Sequence, residues 1–260
     1  MRDRLSAAAV QALLTCPYRL SFVDETSSTN TDVKALAEQG EGEGLVLIAD
    51  RQTEGRGRMG RTFHSPQGTG LYLSVLLRPQ GVADEAVRMT VVAAVAAARA
   101  VQSVFDIDAG IKWVNDLYYK ERKVCGILTE SSLNLTDGTL DYAVCGVGFN
   151  VFPPQEGFPE HLQSVAGALC DGYDESARSR LAAAFLNEFY RGRTEAWTSI
   201  LAEYRRRCVL MGKSVTSPTG AFEGAGMVLG IDDSAGLIVR LADGSIRVLQ
   251  SGEVSVRIDE

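Results

Sequence analysis

The 260-residue sequence lacks the features that mark several common classes of protein. Its five cysteines are scattered and odd in number, and no Cys-x-x-Cys pair occurs, which argues against a disulfide framework and a zinc site. The most apolar long stretch, residues 87–105, is interrupted by two arginines and a glutamine, so it falls short of the roughly 20 apolar residues that a membrane span needs. We therefore expect reduced thiols and a buried, alanine-rich helix at 87–105.

An excess of positive charge is also absent. The net charge is -7 at pH 7, whereas broad binding of nucleic acid requires a basic surface, so any basic site must be local. The first residues contain too short an apolar run for a secretory signal, and one short helix at 7–14 is too little for a helix-turn-helix head. The sequence predicts a cytoplasmic protein that binds neither nucleic acid nor membranes and has no DNA-binding domain.

The length and the pattern along the chain predict a large domain at 1–210 and a small one at 211–260. A capping-box pattern at 29–32 predicts a helix that ends at Gly40, and a helical block is predicted at 175–207. Strands are predicted at 45–49, 71–77, 111–113, 124–129 and 142–147, the last three adjacent and antiparallel. Short strands are predicted beyond Gly212, separated by turn signals such as those of a small barrel, at 214–216, 226–231, 237–241, 246–249 and 254–258.

A glycine- and arginine-rich loop at 53–70 is the first candidate binding segment. Arg56, Arg58 and Arg61 alternate with glycines, so the backbone can lie close to a ligand while the guanidinium groups reach a phosphate or carboxylate. Loops of this length are usually functional or mobile. Taken alone, the segment could equally be a solvated basic loop or a weak RNA contact.

Three further segments place polar groups at the ends of predicted strands. Lys112-Trp113-Val114-Asn115-Asp116 combines a lysine, an amide and a carboxylate, although Asn-Asp is also good turn chemistry and the tryptophan could simply pack in the core. Lys123 precedes an apolar strand that contains Gly126. Gly146-Val147-Gly148-Phe149-Asn150 lacks the third glycine and following helix of a dinucleotide-binding loop, which disfavours a nicotinamide cofactor.

Together these motifs resemble those of biotin protein ligases, also called biotin–acetyl-CoA-carboxylase ligases. The matching segments occur in the family's order and spacing: Ser28-Thr29-Asn30, Gln52, Gly-Arg-Gly-Arg-x-Gly-Arg, Lys-Trp-x-Asn-Asp-Leu, Arg-Lys-x-x-Gly-Ile-Leu and Gly-x-Gly-x-Asn-Val. The C-terminal Gly212-Lys213 and Ser251-Gly252-Glu253-Val254-Ser255 also match, so the resemblance extends from about 22 to 257. It implies an α+β fold with a mixed, largely antiparallel sheet flanked by helices, like class II aminoacyl-tRNA synthetases, followed by a small SH3-like barrel.

The resemblance implies a monofunctional ligase that works in two steps. Biotin and MgATP would give biotinyl-5′-adenylate and pyrophosphate, and a lysine of a biotin carboxyl carrier protein would then accept the biotinyl group and release AMP. No enzyme nucleophile is required, because fixed cations and amide donors stabilise the charge that develops on oxygen. Members of this type are often homodimers.

The resemblance also assigns roles to individual residues. The biotin site would comprise Ser28, Thr29, Asn30, Gln52, Arg56, Gly57, Arg58, Lys123 and Gly126. The nucleotide site would comprise Arg58, Arg61, Phe63, Lys112, Trp113, Asn115, Asp116 and Asn150, with Asp116 a possible magnesium ligand. Arg58, Lys112 and Lys123 are the predicted catalytic residues. For Ser28 and Thr29, helix capping is the competing role.

Two departures from the family pattern stand out. Val114 occupies the usual proline position, which removes a fixed φ but no functional group. Phe63 replaces a tryptophan, so stacking on adenine would depend on a smaller ring.

Two rival functions remain. A lipoate ligase or octanoyl transferase shares the fold, and a transferase would need a cysteine nucleophile, for which Cys125 is the nearest candidate. A non-catalytic regulator that binds biotinyl-adenylate is the second rival, and the absence of a DNA-binding head in the sequence disfavours it.

Overall fold

The computed structural model describes residues 5–79, 84–134, 139–250 and 255–256. Seven strands form the large sheet: β1 Arg19–Thr26, β2 Leu45–Gln52, β3 Gly70–Leu77, β4 Gly110–Lys112, β5 Asp116–Tyr119, β6 Arg122–Leu133 and β7 Leu140–Asn150. The helices are α1 Ala7–Gln11, α2 Thr29–Glu38, α3 Asp84–Phe105, α4 Ala177–Gly192 and α5 Trp197–Arg207. Five short strands follow: β8 Ser214–Thr216, β9 Ala225–Ile231, β10 Leu237–Leu241, β11 Ile246–Leu249 and β12 Ser255–Val256.

The large sheet has the strand order β1-β2-β3-β7-β6-β5-β4. β1 and β2 are parallel, and every other neighbouring pair is antiparallel. This confirms the predicted mixed, largely antiparallel sheet in an α+β fold. The sequence missed β5, because its four residues follow the turn-forming Asn115 directly, and β5 separates β4 from β6, which were predicted to be neighbours.

The two faces of the large sheet are covered differently. One face packs against α3 and α4 in the main hydrophobic core, and the other face packs against α2 in a smaller cluster. α3 has the length and apolar composition of a membrane span, yet 67% of its apolar window is buried inside the fold, as predicted for a core helix. The predicted helical block at 175–207 is two helices, since residues 193–196 turn the chain between α4 and α5.

The C-terminal strands form an open antiparallel sheet of order β11-β10-β9-β8-β12. Within the described ranges this sheet does not close into the predicted barrel, and part of the predicted strand at 254–258 lies outside those ranges, as does the predicted turn at 137–138. Buried residues of this sheet belong to the same hydrophobic cluster as the core of the large sheet. The domain division at 210/211 therefore stays a prediction.

Candidate functional site

A cavity of about 230 Å³ lies on the α2 face of the large sheet, beneath the arginine-rich loop. Its lining includes all sixteen residues that the sequence predicts for the biotin and nucleotide sites: Ser28, Thr29, Asn30, Gln52, Arg56, Gly57, Arg58, Arg61, Phe63, Lys112, Trp113, Asn115, Asp116, Lys123, Gly126 and Asn150. The fold thus brings into one place side chains that come from α2, β2, the loop and the β4–β7 half of the sheet.

The loop is folded as a short hairpin over this cavity. The Gly57 amide donates to the Arg61 carbonyl and the Phe63 amide to the Gly55 carbonyl, both at 2.7 Å, around a turn at Arg58–Gly60. Met59 in that turn has φ 58°, in the left-handed region. At the tip, Arg58 Nη1 lies 3.4 Å from Asn115 Oδ1, which links the loop to the far side of the cavity.

The floor of the cavity begins at the N-terminus of α2. Ser28 is the N-cap residue but its side chain makes no capping hydrogen bond, so the predicted capping box is wrong. The acceptor is instead Gln52 Oε1 on the neighbouring strand, which receives the Thr29 amide at 2.9 Å and the Thr29 hydroxyl at 3.1 Å. A side chain from β2 therefore satisfies a free N–H group at the start of the helix.

Asn30 is held in a single orientation at this floor. Its Oδ1 accepts from Ser74 Oγ at 2.6 Å, and its Nδ2 donates to the Leu128 carbonyl at 3.2 Å and to Glu130 Oε2 at 2.9 Å. A Cβ on Gly146 would stand 2.0 Å from Asn30 Oδ1, so only glycine leaves room for this amide. Asn30 is 4% exposed, and its buried polar groups are accordingly paired.

Phe63 packs on a part of the sheet surface where two glycines leave the backbone without side chains. Gly126 and Gly148 are register partners on β6 and β7, and a Cβ on them would stand 3.1 Å and 2.6 Å from the Phe63 ring. Tyr72 meets the same ring edge-on, with centroids 6.4 Å apart. The two glycines let the aromatic ring lie directly on the backbone.

A β-bulge directs Lys123 toward the cavity. Cys125 pairs with Leu117 and Lys123 with Tyr118, so Val124 is the extra residue, and its side chain enters the main core beside Cys125. Lys123 Nζ forms an ion pair of 2.7 Å with Asp116 and lies 5.9 Å from the centre of the Phe63 ring.

Positive charge dominates the cavity wall. Five cationic side chains line it, Arg56, Arg58, Arg61, Lys112 and Lys123, against the single carboxylate of Asp116, although the chain as a whole carries -7. Such a local excess favours an anionic ligand. Across residues 5–79, 84–134, 139–250 and 255–256 no group of three or more His, Cys, Asp or Glu side chains could hold a metal ion.

Trp113 lines the cavity and is also a core residue, with 4% of its surface exposed. Its indole N–H donates to the Ala235 carbonyl at 2.9 Å, and Tyr204 Oη donates to the Val114 carbonyl at 2.9 Å. The peptide between Trp113 and Val114 is cis. This segment is therefore fixed from both the C-terminal sheet and α5.

Cys125 points away from the cavity into the α3 face of the sheet, because it alternates with Gly126 along β6. Complete burial raises the pKa of its thiol well above the ordinary value, with a further contribution from Asp116. No cysteine is among the residues that line the cavity. A thiolate nucleophile, as the octanoyl-transferase alternative requires, is not provided at this site.

The sequence missed Glu130 and Ser74, which lie just behind the cavity and hold Asn30. Strand alternation contained a signal for Glu130, since Gly126, Leu128 and Glu130 share one face of β6. Ser74 carries no such signal, because a lone serine in an apolar strand reads as a core position.

Comparison with known proteins identifies two family models and several relatives that match this chain. The model of the Biotin/lipoate A/B protein ligase family matches residues 22–150, and that of the Biotin protein ligase C terminal domain matches residues 211–257. A biotin–[acetyl-CoA-carboxylase] ligase of Paracoccus denitrificans is 34% identical over 239 residues, which cover 88% of this chain and 97% of the relative. The bifunctional ligase/repressor BirA of Bacillus spizizenii is 30% identical over 244 residues, covering 91% and 74%.

Among solved structures, the biotin protein ligase from Aquifex aeolicus in complex with biotin and ATP superposes with a TM-score of 0.72 at 27% identity, covering 93% of this chain and 99% of that one. The sequence relatives and this structural likeness extend across both sheets. The chain therefore belongs to the biotin protein ligase family.

Proposed function

We propose that this protein joins biotin and ATP into biotinyl-5′-adenylate and transfers the biotinyl group to a lysine of a biotin carboxyl carrier protein. The observation that carries the proposal is the single cavity lined by all sixteen predicted residues in a chain of this family. The relatives named as biotin–[acetyl-CoA-carboxylase] ligases and the neighbour that holds biotin and ATP support it.

The floor of the cavity suits the ureido ring of biotin, which presents both N–H donors and a carbonyl acceptor. Thr29, Asn30 and Gln52 offer hydroxyl and amide groups there. Ser74 and Glu130 fix the orientation of Asn30, and Thr29 and Ser65 fix that of Gln52. Ser28 lies beside them, and its hydroxyl makes no capping hydrogen bond to the helix. Such preorganisation reduces the entropy lost on binding.

The cationic wall suits the reacting groups. In the first step a biotin carboxylate oxygen bonds to the α-phosphorus and the bond to pyrophosphate breaks. Arg58 and Lys123 would bind the carboxylate and the α-phosphate, and Lys112 would bind the phosphates from the β4 side. These groups lower the barrier because they face the oxygens on which negative charge grows.

Asn115, Asp116, Arg61, Trp113 and Asn150 form the proposed nucleotide side, with Phe63 stacking on adenine. Mg²⁺ would enter with ATP and neutralise phosphate charge, with Asp116 as its protein ligand.

In the second step the amine of the carrier lysine bonds to the acyl carbon, AMP leaves and the amine loses a proton. No covalent enzyme intermediate is needed, in keeping with the absence of cysteine from the cavity lining. Five unpaired thiols fit a reducing compartment, and we place the protein in the cytoplasm. We also propose a homodimer formed along the edge strand β1.

The deciding experiment incubates the purified protein with biotin, MgATP and a carrier domain. We expect biotinyl-adenylate and then a carrier heavier by one biotinyl group on one lysine, measured by mass spectrometry. Lipoate and octanoate are the matched alternative acids. Adenylation of either of them in place of biotin would overturn the proposal, and binding of added biotinyl-adenylate without its formation from biotin and MgATP would favour the non-catalytic regulator.

Arg58→Ala tests the assigned role of the loop. The variant should release biotinyl-adenylate at least about tenfold faster, as expected for the loss of charge-assisted hydrogen bonds, while its unfolding midpoint stays close to that of the wild type. Arg51→Ala is the control, since Arg51 pairs with Glu25 at the surface of the same region. An unchanged release rate in Arg58→Ala would remove Arg58 from the site.

A further inference from the structure

Glu130 stands at the junction between the arginine loop and the cavity floor. It lies on β6 opposite Val144, two positions beyond Leu128, and its side chain is 18% exposed. It does not line the cavity, and neither the motifs nor the proposed chemistry assigns it a role.

On the loop side, Glu130 binds Arg56 with both carboxylate oxygens. Arg56 Nη2 lies 3.0 Å from Oε1 and Arg56 Nη1 lies 3.2 Å from Oε2. A two-pronged guanidinium–carboxylate pair fixes direction as well as distance. The ion pair holds the loop at Arg56, which precedes the turn at Arg58–Gly60.

On the floor side, the same two oxygens bind α2. Oε2 accepts from Asn30 at 2.9 Å, and Oε1 accepts from Lys34 at 3.3 Å. Burial opposes ionisation of Glu130, but the hydrogen bond from Asn30 and the charges of Lys34 and Arg56 outweigh it and hold its pKa below the ordinary value. The carboxylate is therefore charged at neutral pH.

The other arm of the loop is attached to the same network. Gln52 Nε2 donates to Ser65 Oγ at 3.1 Å, and Gln52 Oε1 accepts from the Thr29 amide at 2.9 Å. The Thr29 hydroxyl lies 2.7 Å from the Ser74 hydroxyl, which donates to Asn30 Oδ1. A continuous chain of hydrogen bonds thus runs under the cavity from Ser65, beyond the loop's turn, to Arg56 before it.

We propose that Glu130 is a positioning residue of the ligation reaction: it transmits the arrangement of the biotin-binding floor to the arginine loop, by holding Asn30 and Arg56 at once. This inference rests on the proposed function. The ion pair with Arg56 helps to hold the loop over the cavity. A ligand that reorders Asn30 shifts the Glu130 carboxylate and so alters its contact with Arg56. Retention of biotinyl-adenylate depends on that hold.

Glu130→Gln tests the proposal with little change of shape. The amide oxygen, in the place of Oε2, can still accept from Asn30 and from Arg56 Nη1. The NH₂ group, in the place of Oε1, faces Arg56 Nη2 and Lys34 and cannot accept from either, so the contact with Arg56 loses its charge and one of its two hydrogen bonds. We expect the Gly57 and Phe63 amides, which are hydrogen-bonded in the loop, to exchange hydrogen about 3- to 10-fold faster in the ligand-free variant. Biotinyl-adenylate should dissociate faster by a similar factor, with a smaller change in kcat.

Lys34→Gln is the matched control, because Lys34 binds the same carboxylate from α2 but does not touch the loop. It should leave loop exchange and adenylate release within about twofold of the wild type. In the ligand-free protein, Arg56→Gln should speed loop exchange as much as Glu130→Gln does, and the double variant should exchange no faster than either single one, since both remove one interaction. Adenylate release is compared only between Glu130→Gln and Lys34→Gln, because Arg56 itself lines the cavity.

The outcomes separate this inference from the proposed function. Hydrogen exchange in the ligand-free protein reports the hold on the loop whether or not biotin is the substrate, and a wild type that forms no biotinyl-adenylate contradicts only the function. Loop exchange that is unchanged in Glu130→Gln overturns the inference, and so does faster exchange with unchanged adenylate release. If Glu130→Gln does not fold, Arg56→Gln, at a half-exposed position, carries the loop-exchange test.

Discussion

The indole nitrogen of Trp113 donates a 2.9 Å hydrogen bond to the carbonyl oxygen of Ala235, which joins the edge of the ligand cavity to a turn of the C-terminal sheet. Both residues are buried, at 4% and 2% exposure. The same turn accepts a second indole N–H, that of Trp197, at the Asp233 carbonyl. The C-terminal sheet thus supports the Lys112–Asp116 segment from behind.

Trp113→Phe should lower the free energy of unfolding by about 1–3 kcal/mol, because it leaves the Ala235 carbonyl buried without its donor. Urea-induced unfolding measures the change. Trp197→Phe keeps an aromatic ring at a partly buried position and removes an equivalent bond that is exposed to solvent, so a loss within about 0.5 kcal/mol is expected there. Equal losses in the two variants would contradict a special role for Trp113.

Gly146→Ala should weaken biotin binding by about tenfold or more, because the new methyl group displaces the Asn30 amide and breaks a buried hydrogen-bond network. Calorimetric titration with biotin measures the effect. Gly172→Ala is the control, since a Cβ there meets nothing within 4 Å. Wild-type affinity in Gly146→Ala would show that Asn30 does not contact biotin.

Phe63→Ala should raise the KM for ATP by roughly tenfold, the loss expected when one base loses an aromatic stacking partner. The KM for biotin should change less. Steady-state kinetics with each substrate varied in turn gives both values. Tyr173→Ala, the truncation of an aromatic side chain that is 48% exposed and does not line the cavity, should change neither.

Arg99 binds Glu195 and Glu203 between α3 and α5, at 2.9 Å and 2.7 Å. The Arg99 hydrogen bond lowers the pKa of Glu195; burial opposes ionisation of Glu203, but Arg99 and Arg207 outweigh it and lower its pKa as well. Folded-state pKa values below the ordinary 4.5 stabilise the protein above that pH, and this contribution is lost as the pH falls further.

Unfolding free energies measured from pH 7 down to pH 3 should therefore fall less steeply below about pH 4.5 in Arg99→Met than in the wild type. Arg51→Met, which removes an exposed pair with Glu25, should keep the wild-type slope. Identical slopes in the wild type and Arg99→Met would mean that Arg99 does not lower the pKa of either glutamate.

The residues that line the cavity could be predicted from the sequence, whereas the contacts that orient them could not. Charged and glycine-rich segments such as the one from Arg56 to Arg61 are visible because their chemistry is unusual for a core. The direction of Lys123 is not visible, because it depends on a bulge at Val124 that appears only once β5 and β6 pair. Partners across strands, such as Gln52 for Thr29, are likewise set by tertiary structure.

The same physical reason explains the errors in the fold. β5 is too short for its alternation to be distinguished from a turn, and it forms because β4 and β6 supply hydrogen bonds on both sides. The pattern at 29–32 matched a capping box, but the Thr29 amide donates instead to the Gln52 side chain on β2. Local propensity is overruled where a neighbouring element offers a better partner.

The two edge strands of the large sheet differ in whether a further strand can pair with them. On one side, β4 is bordered by the chain near Cys208, which bridges to Ile111, whereas among the described residues no strand pairs with the outer side of β1. A sheet with one free edge strand can pair with the same edge of a second molecule. No free edge then remains for a third molecule. Strand addition to the large sheet would therefore stop at a symmetric pair.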